Sequence, residues 1–276
     1  MKTKLHTLIL ICLISFSAFS QSTEKIKGSR NVTTQTTEID AFNRLVIDND
    51  FEINIKQGDV PSIQVRTDDN LHEVIEFAVN EGSLSFKTNK RITSSKAMEI
   101  TVIFKDELNI IELKENAQLS TISPINVTDL ILRTKESAKV FLTIEAENFQ
   151  YVAAGKTKAA LNITSKSTIL DLSDNTGIEA LINSDAITVD MLQRANARLE
   201  GDATDLNVNI DNSSVLKAEK LTVKNCTLHT EGRADAHIEA SKNLIIEASG
   251  TTETYIYGSP KIELKTFEDE AILRKK

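Results

Sequence analysis

Few residues that could cross-link the chain occur in this sequence. Its 276 residues contain two cysteines and four histidines. Cys12 lies in an N-terminal apolar run, which leaves Cys226 without a partner for an internal disulfide, so we expect Cys226 to be a buried apolar residue. The histidines show neither His-x-x-x-His nor Cys-x-x-Cys spacing, so no zinc site is expected. Packing and backbone hydrogen bonds must therefore hold the fold together.

Residues that interrupt a chain are also scarce. There are three prolines, nine glycines and no tryptophan, and no stretch rich in Pro, Gly and Ser marks a linker. We therefore predict that residues 39–276 form a single domain. No Gly-x-Ser-x-Gly motif, phosphate-binding glycine loop or dinucleotide fingerprint is present, so the sequence contains no enzyme signature and implies no cofactor.

The N-terminus has the features of a secretory signal. Lys2 and Lys4 precede an apolar run over residues 8–19, and Ala18 and Ser20 fit a cleavage site before Gln21. We assign residues 1–20 to the signal peptide and the polar residues 21–38 to a flexible leader. The apolar run is too short to span a bilayer, so we expect no membrane insertion. The predicted location is the periplasm, the cell surface or the extracellular space.

The charge balance restricts the partners. The full sequence has a formal net charge of −8, with 40 Asp and Glu against 32 Lys and Arg. Removing the signal peptide takes away two of the lysines. An acidic chain is repelled by phosphate backbones, so nucleic acid is not an expected partner.

A short phrase recurs along the second half of the chain: a small residue, any residue, then an aliphatic residue. Polar corners and strands with period-two alternation follow it, at intervals of about 19 residues. Helical repeats are longer and place apolar residues at i, i+3, i+4 and i+7 instead. We therefore predict an all-β, right-handed parallel β-helix, also called a β-solenoid. The phrase begins at Ala117, Ala138, Ala159, Ala197, Ala236 and Thr254.

The two ends of this repeat differ from its middle. Residues 39–106 contain longer alternating strands with Phe51, Phe77, Phe86 and Phe104, and we predict that they cap one end of the solenoid. Residues 107–276 are assigned to the coils. The last of them end in a half coil closed by charged residues 274–276. Polar corners such as 165–167 and 183–185 are expected to supply left-handed backbone, and small residues such as Ala197 and Gly201 to fit a narrow interior.

Several segments resemble a known family. They are residues 42–47 (FNRLVI), 50–58 (DFEINIKQG), 69–71 (DNL) and 82–86 (GSLSF), which run into the repeats. Together they are similar to the putative auto-transporter adhesin, head GIN domain family of secreted bacterial proteins, over about residues 39–260. The resemblance implies a β-solenoid and adhesion at the cell surface. It implies no catalytic residue.

Two sets of outward residues are candidate sites. Aligned coils place Asp171, Asp190 and Asn209 on one ladder, where carboxylates about 5 Å apart could bind a metal ion or share a proton. The alternative interpretation is a solvated polar ladder. A second set could stack on and hydrogen-bond a sugar, or be ordinary cross-coil pairs: His237, Glu239, Tyr255 and Tyr257.

Three classes of function fit these observations. The first is a non-enzymatic exported module that binds a protein or glycan at the cell envelope. The second is a carbohydrate-active β-helix enzyme, which requires at least three carboxylates, or Arg and Lys side chains, converging from neighbouring coils. The third is a structural protein whose solenoid ends associate with one another. Glu179 and Arg198, on adjacent coils, are expected to form a surface ion pair.

Overall fold

The computed structural model describes residues 24–276, so the predicted signal peptide and Cys12 lie outside the described residues. The described chain is made of strands and one short 3₁₀ helix at Asp69–Leu71. The N-terminal strands are β1 (Lys25–Lys27), β2 (Val32–Glu38), β3 (Arg44–Ile47), β4 (Glu52–Gln57), β5 (Ser62–Asp68), β6 (Ile75–Asn80), β7 (Ser83–Thr88), β8 (Arg91–Ser94) and β9 (Met98–Phe104). In this part of the chain no helix is long and apolar enough to cross a membrane.

The remaining strands form the coils. They are β10 (Ile110–Leu113), β11 (Gln118–Thr121), β12 (Ile125–Thr134), β13 (Lys139–Ala153), β14 (Lys158–Leu172), β15 (Gly177–Met191), β16 (Asn196–Ile210), β17 (Val215–Thr230), β18 (Asp235–Ala248), β19 (Glu253–Gly258), β20 (Lys261–Phe267) and β21 (Ile272–Lys275). Neighbouring coils pair in parallel, and the whole is a β-solenoid of about nine turns with about 19 residues per turn. The predicted fold class is confirmed.

Each long coil strand bends once and so has two arms. We call the first half the first arm, residues 139–145 in β13, and the second half the second arm, residues 149–153. Val140, Ala159 and Ile178 stack in register on the inner side of the first arm, and Tyr151 and Leu170 on the inner side of the second. All five are buried. Since burying a large aliphatic side chain contributes about 1.5–3 kcal/mol, this continuous apolar stack is the main source of stability.

One left-handed residue occurs in each turn between coils. Its φ is positive, which aims the following N–H at the turn of the preceding coil; Asn175 N, for example, donates to Gly155 O at 2.8 Å. The ten turn residues are Asn49, Glu115, Glu136, Gly155, Asp174, Gln193, Asn212, Gly232, Gly250 and Asp269.

The predicted polar corners are not these turns. Residues 165–167 lie inside β14 and residues 183–185 inside β15, at the bend between the two arms. The expectation of left-handed backbone there was wrong. Side chains at the bend bond to one another across coils, as Ser165 Oγ and Ser184 Oγ do at 3.0 Å, while the backbone ladder continues. The exceptions are Gly201 and Gly258, with φ of +116° and +77°. A Cβ added at either would lie 2.2 or 2.4 Å from a carbonyl oxygen of the preceding coil.

The N-terminal strands cover one end of the solenoid. β2 pairs antiparallel with β5, β5 pairs antiparallel with β9, and β1 pairs in parallel with β8. Of the four predicted capping aromatics, Phe51 and Phe77 pack against Phe86, with ring centroids 5.8 and 6.2 Å away.

The segment predicted to be a flexible leader is part of this cap from residue 24 onward. Strand β2 is mostly exposed, so its sequence lacks the alternation by which a strand is recognised. It is held by backbone pairing and by Asp68, which is fully buried. The Asp68 carboxylate accepts hydrogen bonds from the backbone N–H groups of Arg30 and Lys96 at 3.2 and 3.1 Å. These contacts join residues distant in sequence, which no local pattern reveals.

Among the described residues the last coil has a neighbouring coil on one side only. β20 pairs with β18 and β21 with β19, each on one side. Ile262, Leu264 and Phe267 point toward the core side but are exposed by 38–49%. Lys265 is the extra residue of a bulge between Leu264 and Thr266. A lysine at a bulge hinders the pairing of an edge strand with another chain, so this end is partly protected.

Candidate ligand-binding face

The outward side of the first arm is the most varied surface of the solenoid. Parallel register places equivalent residues of successive coils one above another, about 4.8 Å apart. One column contains Phe141, Ala160, Glu179, Arg198, Lys217, His237 and Tyr255. The column beside it contains Lys139, Lys158, Gly177, Asn196, Val215, Asp235 and Glu253. We call this surface the first-arm face.

The four residues predicted as an aromatic site are brought together on this face. The ring of His237 stacks on Tyr255, with 4.4 Å between centroids and 19° between planes. His237 Nδ1 and the Tyr257 hydroxyl lie 3.3 Å apart, within hydrogen-bond distance. Glu239 is in register with Tyr257. The cluster thus offers a half-buried aromatic surface bordered by polar groups.

Acidic residues flank this aromatic cluster. The Tyr255 hydroxyl donates a hydrogen bond to Glu253, which lowers the pKa of the Glu253 carboxyl and raises the pKa of Tyr255. Burial, followed by the nearby charge of Glu253, raises the pKa of Asp235. The Arg274 Nε lies 3.6 Å from Glu253, and the Lys276 ammonium lies 5.0 Å from the centroid of the Tyr255 ring. Carboxylates and cationic side chains are therefore mixed at this end of the face.

A groove lies at the other end of the face. Ala160 and Gly177 supply little side chain at its centre, and the groove there encloses about 460 Å³. Phe141 lies beside it and is 45% exposed, as is Leu181 nearby. Exposed Phe and Leu side chains on a regular sheet commonly mark an interaction surface when they border a depression.

The rim of the groove is cationic. Lys139 is directly opposite Lys158 in register, and Arg198 directly opposite Lys217. Like charges placed opposite each other destabilise a sheet. Among the described residues none of these four side chains forms an ion pair with a carboxylate. The expected Glu179–Arg198 ion pair is therefore wrong, although the two residues are neighbours in register.

The second-arm ladder has a different character. Asp171 and Asp190 are paired in register, as predicted. However, Gln150 Nε2 donates to Asp171 Oδ2 at 2.8 Å, and Asn209 Nδ2 donates to Asp190 Oδ1 at 2.6 Å. Each carboxylate is thus already bonded to an amide of a neighbouring coil. Within residues 24–276 no group of three or more His, Cys, Asp or Glu side chains is arranged to hold a metal ion.

Cys226 belongs to the core, as predicted. It is buried between Leu206 and Leu244 in register, and burial raises the pKa of its thiol to about 12. A thiol that stays protonated is a poor nucleophile, so Cys226 has no role on the surface.

The groove itself was not predicted, although Glu179 and Arg198 in its lining were named as an ion pair. A sequence signal does exist for Phe141 in the groove and for Leu181 nearby. Phe141 and Leu181 each stand between two apolar residues, in Val140-Phe141-Leu142 and Ala180-Leu181-Ile182. Three consecutive apolar residues in an alternating strand require the middle one to point outward. The cationic rim has no such signal, because its members are about 19 residues apart.

Comparisons with known proteins agree with this architecture. The family model described as putative auto-transporter adhesin, head GIN domain, matches residues 41–173 and 157–260. A comparison with curated proteins gives no match.

Three solved structures share the fold. A putative adhesin from Parabacteroides distasonis has 17% identity and a TM-score of 0.64, covering 91% of this chain and 100% of its own. A putative adhesin from Parabacteroides merdae has 19% identity and a TM-score of 0.59, with coverage of 92% and 99%. A putative lipid binding protein from Parabacteroides distasonis has 16% identity and a TM-score of 0.59, with coverage of 92% and 100%. At such identities the similarity concerns the fold alone.

Proposed function

The chain belongs to the putative auto-transporter adhesin, head GIN domain family, and we propose that it is an exported, non-enzymatic module that binds a protein or glycan at the cell envelope through the first-arm face. The contrast between the two arms carries this proposal. On the second arm, Asp171 and Asp190 are bonded to neighbouring amides. On the first arm Phe141 is exposed, and within residues 24–276 the cations beside it form no ion pair.

Export rests on the predicted signal peptide and agrees with the adhesin family. The location is the periplasm, the cell surface or the extracellular space. Since one structural neighbour is named a lipid binding protein, lipid vesicles are part of the test.

A carbohydrate-active enzyme is the second candidate. One observation favours it: cationic side chains from neighbouring coils, among them Lys158 and Arg198, line a groove. A carboxylate pair with room for a sugar between its members is the usual requirement for glycoside hydrolysis. Asp171 and Asp190, the aligned pair, lie on the other arm and are bonded to amides. Turnover of a polysaccharide that Asp171→Asn or Asp190→Asn abolishes would establish the enzyme and refute the binding module.

The binding proposal is tested with a defined panel of immobilised ligands. The panel contains a mucin glycoprotein, an extracellular-matrix protein, neutral and acidic polysaccharides, and phosphatidylglycerol vesicles. The exported chain should bind at least one protein or glycan. The double variant His237→Ala/Tyr255→Ala or the variant Phe141→Ala should weaken this binding about tenfold, as expected for truncation of an aromatic anchor.

The matched control is a second-arm variant with the same kind of truncation. Asn207→Ala/Thr227→Ala removes two outward, in-register side chains from the opposite surface. It should leave binding unchanged. The proposal is refuted by a chain that binds no protein or glycan in the panel, or whose binding responds only to the second-arm variant.

A further inference from the structure

Gly177 occupies a position where the fold does not require glycine. Its φ is not in the left-handed region, and a Cβ added there would meet no atom within 4 Å. Gly155, by comparison, has a φ of +89° and would bring a Cβ to 2.7 Å from the backbone of Glu136. A glycine in a strand costs stability and often marks a place where another molecule approaches closely. Gly177 thus keeps the centre of the groove open without a structural reason of its own.

The cation pairs on the rim are not bridged by a carboxylate, as a pair of arginines elsewhere in this solenoid is. Arg44 and Arg133 are also neighbours of one carboxylate, Glu112, whose oxygens lie 3.0 Å from each guanidinium. Lys139 and Lys158 have no carboxylate between them, nor do Arg198 and Lys217. Glu179 lines the same groove in register with Arg198 but forms no ion pair with it. Four cations therefore face one carboxylate, and in a chain of net charge −8 this local excess of positive charge is complementary to an anion.

We propose that the groove at Gly177 binds an acidic polysaccharide. The ring of one sugar lies over Ala160 and Gly177 beside the exposed Phe141. Its carboxylate interacts with Lys139 and Lys158, and an acidic group of a neighbouring sugar interacts with Arg198 and Lys217. This inference rests on the proposed function, because it names a ligand class for part of the first-arm face.

The geometry favours a saccharide over an acidic peptide or an anionic membrane. A peptide in extended conformation would bind at a strand edge, where backbone groups are free, whereas this groove lies on the face of a sheet whose backbone is already paired. The first-arm face is a β-sheet surface and contains no amphipathic helix of the kind that inserts into a membrane interface. A sugar chain instead needs an aromatic surface and spaced charges, which the groove provides.

The experiment measures binding of polygalacturonate, alginate and hyaluronate by isothermal titration calorimetry, with chelator present to prevent calcium bridging. At least one should bind, and raising the salt concentration should weaken it. Methyl-esterified polygalacturonate keeps the rings and loses the charge. Polyglutamate keeps the charge and lacks the rings. Each should bind at least about tenfold more weakly than the acidic polysaccharide.

The decisive variant is Gly177→Leu. Because a Cβ at this position would meet no atom within 4 Å and the rest of the side chain extends into the open groove, the variant should fold with an unchanged or higher melting temperature, yet fill the groove and abolish saccharide binding. Phe141→Ala and Lys139→Gln/Lys158→Gln should each weaken binding about tenfold. The matched control, Lys224→Gln/Lys242→Gln, removes two exposed lysines elsewhere on the solenoid and should change nothing.

Four results would overturn the inference. The first is that polyglutamate binds as tightly as the acidic polysaccharides, and the second is that a folded Gly177→Leu variant keeps full saccharide binding. The third is that phosphatidylglycerol vesicles are the sole ligand that binds through these residues. The fourth is that no acidic polysaccharide binds. If another panel ligand still binds through His237 and Tyr255 in that last case, the proposed function stands and only the acidic ligand is refuted.

Discussion

The Tyr255 hydroxyl donates a hydrogen bond to the Glu253 carboxylate, two residues earlier on the same strand. Both side chains point outward because residues i and i+2 share a face of a strand. The bond stabilises the charged form of Glu253, so the pKa of this carboxyl lies below its ordinary value of 4.5.

Tyr255→Phe should remove this effect. The pKa of Glu253 should rise toward 4.5, as followed by NMR titration of its side-chain carboxyl. A lowered folded-state pKa gives stability that is present above the unfolded pKa and is lost as the pH falls through the folded value. The free energy of unfolding of the variant should therefore be lower than that of the wild type at neutral pH, and the two values should converge in acid. Tyr257→Phe, whose hydroxyl faces His237, is the control and should leave the Glu253 titration unchanged.

Gly201 and Gly177 should respond in opposite ways to the same substitution. A Cβ on Gly201 would lie 2.2 Å from the Ile182 carbonyl oxygen, at a φ of +116°. Gly201→Ala should therefore lower the free energy of unfolding by at least about 2 kcal/mol. Gly177→Ala should raise it by about 0.5–1 kcal/mol, because the unfolded chain loses conformational freedom and nothing clashes. Urea denaturation measures the free energy of unfolding of both variants. Equal changes would contradict the conclusion that the backbone requires glycine at position 201 but not at position 177.

Glu112 should make the N-terminal coils sensitive to acid. Its side chain is 14% exposed and bonds to Arg133 and Arg44. Burial raises the pKa of Glu112, but the hydrogen bonds from Arg133 and Arg44 outweigh it and lower the pKa below 4.5. Glu112→Gln should lower the free energy of unfolding by about 1–2 kcal/mol at pH 7. This value is modest because both arginines are half-exposed and solvent screens their charges.

This cost should shrink as the pH falls. The stabilisation by Glu112 exists above its unfolded pKa and disappears as the pH falls through its lowered folded pKa. Urea denaturation at pH 7 and pH 3 tests it. The exposed pair Arg66–Glu99 supplies the control, since Glu99→Gln should cost under about 0.5 kcal/mol at either pH. If the loss of stability caused by Glu112→Gln is the same at pH 7 and pH 3, the charged Glu112 carboxylate is not the source of the stabilisation.

Cys226 should be inert in the folded protein. Since burial raises the pKa of its thiol to about 12, a maleimide at pH 8 should label Cys226 only after the protein unfolds. Cys226→Ser should cost about 1–3 kcal/mol, because it places a hydroxyl in an apolar layer. Cys226→Ala should cost less than the serine variant if the cavity collapses around it. Rapid labelling of the native protein would show that the core opens there.

The last coil should be the place where copies of the chain associate. Leu264 is 49% exposed on the edge strand β20, and Lys265 at its bulge should keep the association weak. Light scattering should show an average mass that rises with concentration in the wild type and falls in Leu264→Lys. Leu192→Lys is the matched control, because Leu192 is equally exposed but lies in a turn. A concentration-independent monomer would exclude association through this end.

The repeat was readable from the sequence because coil strands alternate, and the aromatic cluster followed from it. His237 and Tyr255 were predicted to be neighbours since their coils align, and the structure places their rings 4.4 Å apart. The turns were assigned to the wrong side of the coil. A polar bend such as Ser165 and a polar turn such as Asp174 have the same composition, and only backbone geometry separates them.

By itself the sequence determined the β-solenoid, its period of about 19 residues and the inward and outward alternation, because these depend on local periodicity. Tertiary structure decided what lies beside what. It placed strand β2 in the cap, left Arg198 without the carboxylate of Glu179, and set Lys139 and Lys158 on one side of the open space at Gly177. Those relations depend on register between coils, and on the volume that side chains leave empty, neither of which any single segment of sequence contains.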